Sequence, residues 1–231
     1  IGWPTLAMVG IGLVLLWLFV VVERRAKETI LPHITYRRGN SLKWIYLTVA
    51  ALSAGVMVEN FIPLFGQKLA GLSPLIAGFL GAVLSLAWVI AQLFVVSVKS
   101  ESGRRRAIRL GPLLLTAGLI AYGLLQVAAA DMTMVLIWAA VLALAGVGIG
   151  LAWPLLGVAA MSSTHDPAEG GKAAAAITIT QLIAFSITSA LAGTLMAAGG
   201  ESAVDSARYI TLGIALLTLL GIFAAGVATR K

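Results

Sequence analysis

Apolar runs of about 20 residues, each long enough to cross the ~30 Å hydrocarbon core of a bilayer, follow one another along this chain from end to end. That succession is what most limits the fold. Of 231 residues, 60% are hydrophobic and only 11% charged. A soluble domain has no way to cover so much apolar surface with so few charges, and the mean hydropathy of +1.02 agrees. A transmembrane barrel would show alternating segments of about ten residues, and none is present. The sequence therefore reads as an all-α integral membrane protein.

Composition removes several function classes. There is no cysteine, which excludes disulfides and thiolate metal sites. His33 and His165 lie in separate polar loops and form no ligand cluster. The net charge of +7 belongs to cytoplasmic loops rather than to a nucleic-acid surface. The opening residues, IGWPTLAMVG, have no initiator methionine, no basic n-region and no small-residue cleavage site. They suggest a fragment, or one half of a longer protein.

Seven spans are expected, at about 3–22, 44–66, 74–98, 109–130, 132–160, 172–198 and 207–229, with run length deciding for helix. Ser73-Pro74 reads as an N-cap followed by a first-turn proline. Asp131 splits what would otherwise be one long run and reads as a turn and N-cap. Gly199-Gly200 reads as a helix stop. The basic residues sort by side. Arg24, Arg25, Lys27, Arg37, Arg38 and Lys43 fall in one loop, and Lys99, Arg104, Arg105, Arg106 and Arg109 in another. Lys172, Arg230 and Lys231 share their side, while only Lys68 and Arg208 lie opposite. The positive-inside rule then puts residue 1 outside and residue 231 in the cytoplasm of a multi-pass plasma-membrane protein. A seven-span retinal protein would need a lysine inside its last span, and RYITLGIALLTLLGIFAAGVATR has none. The alanine- and glycine-rich spans favour a close-packed transporter bundle.

Several stretches, in order, carry a family resemblance. Glu23-Arg24-Arg25 opens a basic connection. A span ends in Pro63-Leu64-Phe65-Gly66-Gln67, and Gly71-Leu72-Ser73-Pro74-Leu75-Ile76-Ala77-Gly78 follows. GVGIGLAWPLLGVAAMSSTHDPAEGGKAAAAITITQL comes later. This series resembles the second half of a major facilitator superfamily transporter, and is most similar to the fourteen-span drug:proton antiporters. The resemblance implies a helix at 1–22 preceding the bundle, a basic cytoplasmic linker at 23–43, and a C-terminal six-helix bundle at 44–231. The loop SVKSESGRRRAIRLG holds the place of the family's signature loop. Gly103, Arg104 and Arg105 match it, but Ser100 and Glu101 replace its Asp and Arg, and Val96 its leading glycine. A cytoplasmic latch through Gly103, Arg104 and Arg105 and a solvated basic loop are both open readings.

Glu59 is the one acid within the expected spans. Counting from Trp44 at ~1.5 Å per residue places it in the outer third of the membrane. An intramembrane acid is expensive and by default a candidate functional site, of the kind that takes and releases a proton. Pro63 removes the N–H that would bond the carbonyl of Glu59, and Asn60 lies alongside, so a polar kink is expected. The competing reading ends the helix at Pro63, with Glu59 in an outer vestibule. Gly146, Gly148 and Gly150 lie inside an apolar span with no preceding strand, which excludes a dinucleotide loop. With Pro154 they offer either close packing or a bending gate. Gln92, Gln126 and Gln181 are candidates to line a cavity or to bridge helices. Trp88, Trp138 and Trp153 suit core packing or a lipophilic cation.

The family resemblance, together with these readings, implies a secondary transporter exporting drugs or small lipophilic molecules in exchange for protons, by alternating access. Its partners would be the bilayer, the small-molecule substrate, protons and an N-terminal half, with no nucleic acid, no cofactor and no metal. An enzyme would need paired acids, clustered histidines or a Ser/Lys dyad within the spans, and none is found. The alternative class is a non-transporting membrane scaffold or an inactive half-transporter.

Overall fold

In a computed structural model, residues 39–164 and 166–230 are described, together with positions 7, 10–12, 14, 17, 18, 21, 22, 32 and 35. The expected first span, the Glu23-Arg24-Arg25 motif, His33 and His165 fall largely or wholly outside the described residues. The positions described between 7 and 22 are helical.

From residue 42 onward the chain forms seven α-helices. They are α1 (Leu42–Val56), α2 (Ile62–Ala70), α3 (Pro74–Val95), α4 (Glu101–Leu124), α5 (Met132–Met161), α6 (Pro167–Ala198) and α7 (Ala203–Ala228). A 3₁₀ turn, Met57–Asn60, joins α1 to α2. Six segments of the described residues are long and apolar enough to cross a membrane: α1 with its 3₁₀ turn, and α3 to α7. The six spans expected between residues 44 and 229 are thus present, whereas a seventh is not established.

Three helix starts follow local chemistry. Ser73 accepts from the Ile76 N–H (3.4 Å), with Pro74 in the first turn. Asp131 accepts from the Met134 N–H (2.9 Å). Ser100 accepts from the Gly103 N–H (3.2 Å). The last of these corrects the expected boundary. The stretch expected as a loop up to residue 109 is helical from Glu101, because Ser100 caps it and Glu101 pairs with Arg105 at 2.9 Å. Gly103, Arg104 and Arg105 therefore stand on the first turn of α4, not on a loop. Helix α4 also ends at Leu124, short of the expected residue 130.

The expected single span 44–66 is likewise interrupted. Phe61 N–H bonds the Val58 carbonyl at 2.9 Å, a 3₁₀ spacing, and α2 restarts with Pro63 in its first turn. Pro63 has no N–H to extend the α-helical ladder back to residue 59. Gly81 of α3 makes room for the break: a Cβ there would lie 3.2 Å from Pro63 Cγ.

Helix α5 is the centre of one half of the packing, pressed between α3 and α4, while α7 packs on α1 and α4 and α6 rests on α1, α5 and α7. Glycine sets the α5 contacts. A Cβ on Gly146 or Gly150 would collide with the backbone carbonyls of Leu84 and Trp88 on α3, and one on Gly148 would lie 2.5 Å from the Gly111 carbonyl on α4. The glycines thus face two different neighbours, the small-residue packing that brings helices together in lipid. Helix α5 continues through Pro154 to Met161.

Candidate functional site

Glu59 is half-buried on the 3₁₀ turn. The Ser85 hydroxyl lies 2.7 Å from each of its carboxyl oxygens. Ser85 is the twelfth residue of the 22-residue α3, so the contact sits midway along a span. The carboxyl is therefore level with the middle of α3. Side chains lean toward the N-terminus of their own helix, and the chain runs on through α2 beyond Glu59. Both effects keep the carboxyl away from the end of the bundle that α2 reaches.

No cation pairs with Glu59 among the described residues; the ion pairs there are Arg105–Glu101 and Lys172–Glu169. A hydroxyl is a versatile partner for such a group. It donates to a carboxylate and accepts from a protonated carboxyl, so Ser85 is a partner for Glu59 in either state. A lysine or arginine would fix the charged state instead.

Ser85, Trp88 and Gln92 follow at i, i+3 and i+7 on α3 and share a face. Trp88 meets Trp153 of α5 edge to face, with ring centroids 5.8 Å apart. Trp88 Nε1 is buried without a hydrogen-bond partner among the described residues. Gln92 is half-exposed one turn further along. Asn60 is exposed, and among the described residues its amide reaches the Met57 carbonyl at 3.4 Å and the Met57 sulfur at 3.7 Å. Gln181 is half-exposed near the middle of α6, a helix that also touches the Met57–Asn60 turn.

Gln126 does not join them. It is fully buried just past the end of α4, where its amide donates to the Tyr122 carbonyl at 2.9 Å. Its own backbone carbonyl accepts from Arg208 at 2.9 Å. Trp138 closes the same corner, donating to the Leu125 carbonyl at 3.0 Å and stacking edge to face on Tyr122. Gln126 is thus packed at one end of the bundle, away from Ser85 and Gln92.

At the opposite end, Arg104 donates to the Val98 carbonyl (3.0 Å), where the chain leaves α3. Arg105 engages Glu101 of its own turn rather than a neighbouring helix. A Cβ on Gly103 would sit 2.7 Å from the Ser100 hydroxyl and the Val98 side chain, so these side chains would have to shift to admit one. Sequence reasoning missed Arg109 as a tie between helices: it donates to the Thr229 hydroxyl (2.6 Å) and carbonyl (2.9 Å) beyond α7. It also missed the Thr116–Thr218 hydroxyl pair, 2.7 Å apart, between α4 and α7. Ser85 had no distinguishing signal either, being one small residue among many in an apolar run.

The Major Facilitator Superfamily model matches residues 1–189. The chain belongs to that superfamily. Probable multidrug-efflux transporters of two Mycobacterium tuberculosis strains are each 38% identical to it over 229 residues, covering 98% of this chain and 48% of theirs. The multidrug transporter protein MdtP of Bacillus subtilis is 26% identical over 163 residues, covering 70% of this chain and 29% of its own. The chain thus spans about half the length of the mycobacterial relatives. The motifs from Glu23 to Gly78 and the glycine-rich stretch of α5 point to this same superfamily.

Proposed function

We propose that this chain is the C-terminal half of a multidrug exporter driven by protons, and that Glu59 is the carboxyl that takes and releases the proton. The observation that carries the reading is the uncharged partnership of Glu59 with Ser85 midway along a membrane span. An acid kept in that position without a cation is costly, which marks it as functional. The multidrug relatives support a lipophilic substrate. Trp88, Trp153 and Gln92 on the adjoining α3–α5 face offer it aromatic surface and a polar contact. Gln181 and Asn60 are further substrate contacts from neighbouring elements.

Alternating access follows as rocking of this bundle against an N-terminal half. Gly146, Gly148 and Gly150 keep α5 tightly seated while Pro154 gives it a point of bending, and Gly103 with Arg104 holds the α3–α4 turn during the motion. The bundle has its basic ends in the cytoplasm of a plasma-membrane protein, with residue 1 outside and residue 231 inside.

Efflux of a cationic dye by the full-length protein tests the central claim, with and without collapse of the proton gradient. Glu59→Gln is expected to abolish gradient-driven efflux while leaving dye binding in place. Unchanged proton-driven efflux by Glu59→Gln would remove the coupling role.

A further inference from the structure

A groove of about 460 Å³ runs along α7 between α4 and α6, at the end of the bundle that carries the 125–131 and 199–202 turns. Ile120 of α4 and Leu195 of α6 flank it, and Leu212, Gly213, Ala215 and Leu216 of α7 line it, with Ala215 buried and Leu216 and Tyr209 exposed at its edge. Its size falls within the ~300–1,000 Å³ of ligand sites. The lining is apolar and includes Leu216, which continues along α7 into exposed Leu220 and Phe223, the surface expected to meet lipid tails.

The end of the groove distinguishes it from ordinary lipid-facing surface. Arg208 lies one helical turn before Leu212, on the same face of α7. Both side chains point at the last turn of α4. Leu212 rests against Gly123, where a Cβ would fall 2.8 Å from Leu212 Cδ2, and Arg208 donates to the Gln126 carbonyl. That carbonyl is a neutral acceptor for only one of the guanidinium nitrogens. No acid pairs with Arg208 among the described residues, although Glu201 and Asp205 are near in sequence. A guanidinium carries five N–H donors and binds phosphate through two at once. Tyr209 is 47% exposed, with no hydrogen bond among the described residues. It sits beside Arg208 as tyrosines do at the head-group level of a bilayer.

We propose that this groove holds one glycerophospholipid, its acyl chain lying on Leu212 and Leu216 and its phosphodiester on Arg208. The apolar lining requires a chain that water would reject, and the unpaired cation at its head requires an anion at that depth. A glycerophospholipid joins the two in one molecule. Its role is to complete the α4–α7–α6 surface, where α4 and α6 are held apart by the floor of α7.

Native mass spectrometry of the full-length protein tests this, after exchange into nanodiscs of phosphatidylglycerol and release into mild detergent. One phosphatidylglycerol molecule is expected to remain bound. Arg208→Glu, which reverses the charge, and Ile120→Trp, which fills the groove, should each lose it. Leu220→Trp, on the lipid-facing stripe outside the groove, should retain it, and near-equal Tm values for the three variants would exclude unfolding as the cause. Diacylglycerol, which has the chains without the phosphate, and glycerophosphoglycerol, which has the phosphate without the chains, should not be retained. Retention of phosphatidylglycerol by both Arg208→Glu and Ile120→Trp, or equal retention of diacylglycerol, would overturn the assignment. So would equal binding of the chainless head group.

Discussion

Glu59 depends on one hydroxyl, and removing that hydroxyl separates two roles. Ser85→Ala leaves the carboxyl half-buried with no partner among the described residues, whereas Ser85→Thr keeps the hydroxyl. If Glu59 exchanges a proton, Ser85→Ala should shift the pH dependence of efflux and Ser85→Thr should restore it. A purely structural Ser85 would alter Tm and leave the pH profile in place. A second hydroxyl pair gives the comparison. Thr116 and Thr218 are both buried and bond across α4 and α7 at 2.7 Å. Thr116→Val keeps the shape and leaves Thr218 its bond to the Ala215 carbonyl. The loss is then that of one hydrogen bond, about 0.5–1.5 kcal/mol, seen as a lower Tm with an unchanged efflux profile.

At the scale of elements, the glycines of α5 divide sharply. Gly148 has the Gly111 carbonyl and the Leu115 N–H at 2.5 Å from where a Cβ would stand, both of them backbone. Gly157, on the same helix, has nothing within 4 Å. Gly148→Ala should therefore force α4 and α5 apart and cost about 1–3 kcal/mol. Gly157→Ala should be neutral or stabilising by up to about 1 kcal/mol, since it removes only the glycine's backbone entropy cost. Thermal unfolding followed by tryptophan fluorescence distinguishes them, and equal Tm values would deny α5 its tight seat. The element pattern was largely legible. Apolar length marked the spans, and Ser73 and Asp131 announced their caps, because those signals are local. Which way Gly146, Gly148 and Gly150 faced was not legible, since three glycines in five residues fit any close neighbour. The break at Met57–Asn60 was half legible: Pro63 signalled a lost hydrogen bond, but the space for the bend comes from Gly81 on another helix. The basic run after Ser100 misled in the other direction. Charge suggested a loop, whereas arginines on a first turn reach carbonyls and water from within a helix.

For the whole molecule, the exposed faces of the helices differ in kind. On α3 the exposed stripe is large: Leu75, Phe79, Leu86, Val89 and Leu93. On α7 it is Tyr209, Leu216, Leu220 and Phe223. On α6 it is mostly small, with Gly171, Ala175, Thr178, Ser186, Ser189, Gly193 and Ala197 exposed along one side and Leu182 the large residue among them. Small faces let helix backbones approach in lipid, while large apolar faces pack equally well on acyl chains. The α6 face is accordingly where the proposed N-terminal half should press, with α7 left to the bilayer. The chain has no cysteine, so single cysteines report cleanly once any others in the full-length protein are removed. Ser189→Cys should resist a lipid-phase maleimide that labels Phe223→Cys readily, and truncation to this half should expose it. The same background fixes the sides. Glu201→Cys should react with an impermeant maleimide in intact cells, and Ser162→Cys only after permeabilisation, if the basic ends face the cytoplasm. The reverse pattern would invert the bundle, and with it the side from which the path to Glu59 opens. Equal lipid-phase labelling of Ser189→Cys and Phe223→Cys would place α6 against lipid and move the contact with the other half to a different face.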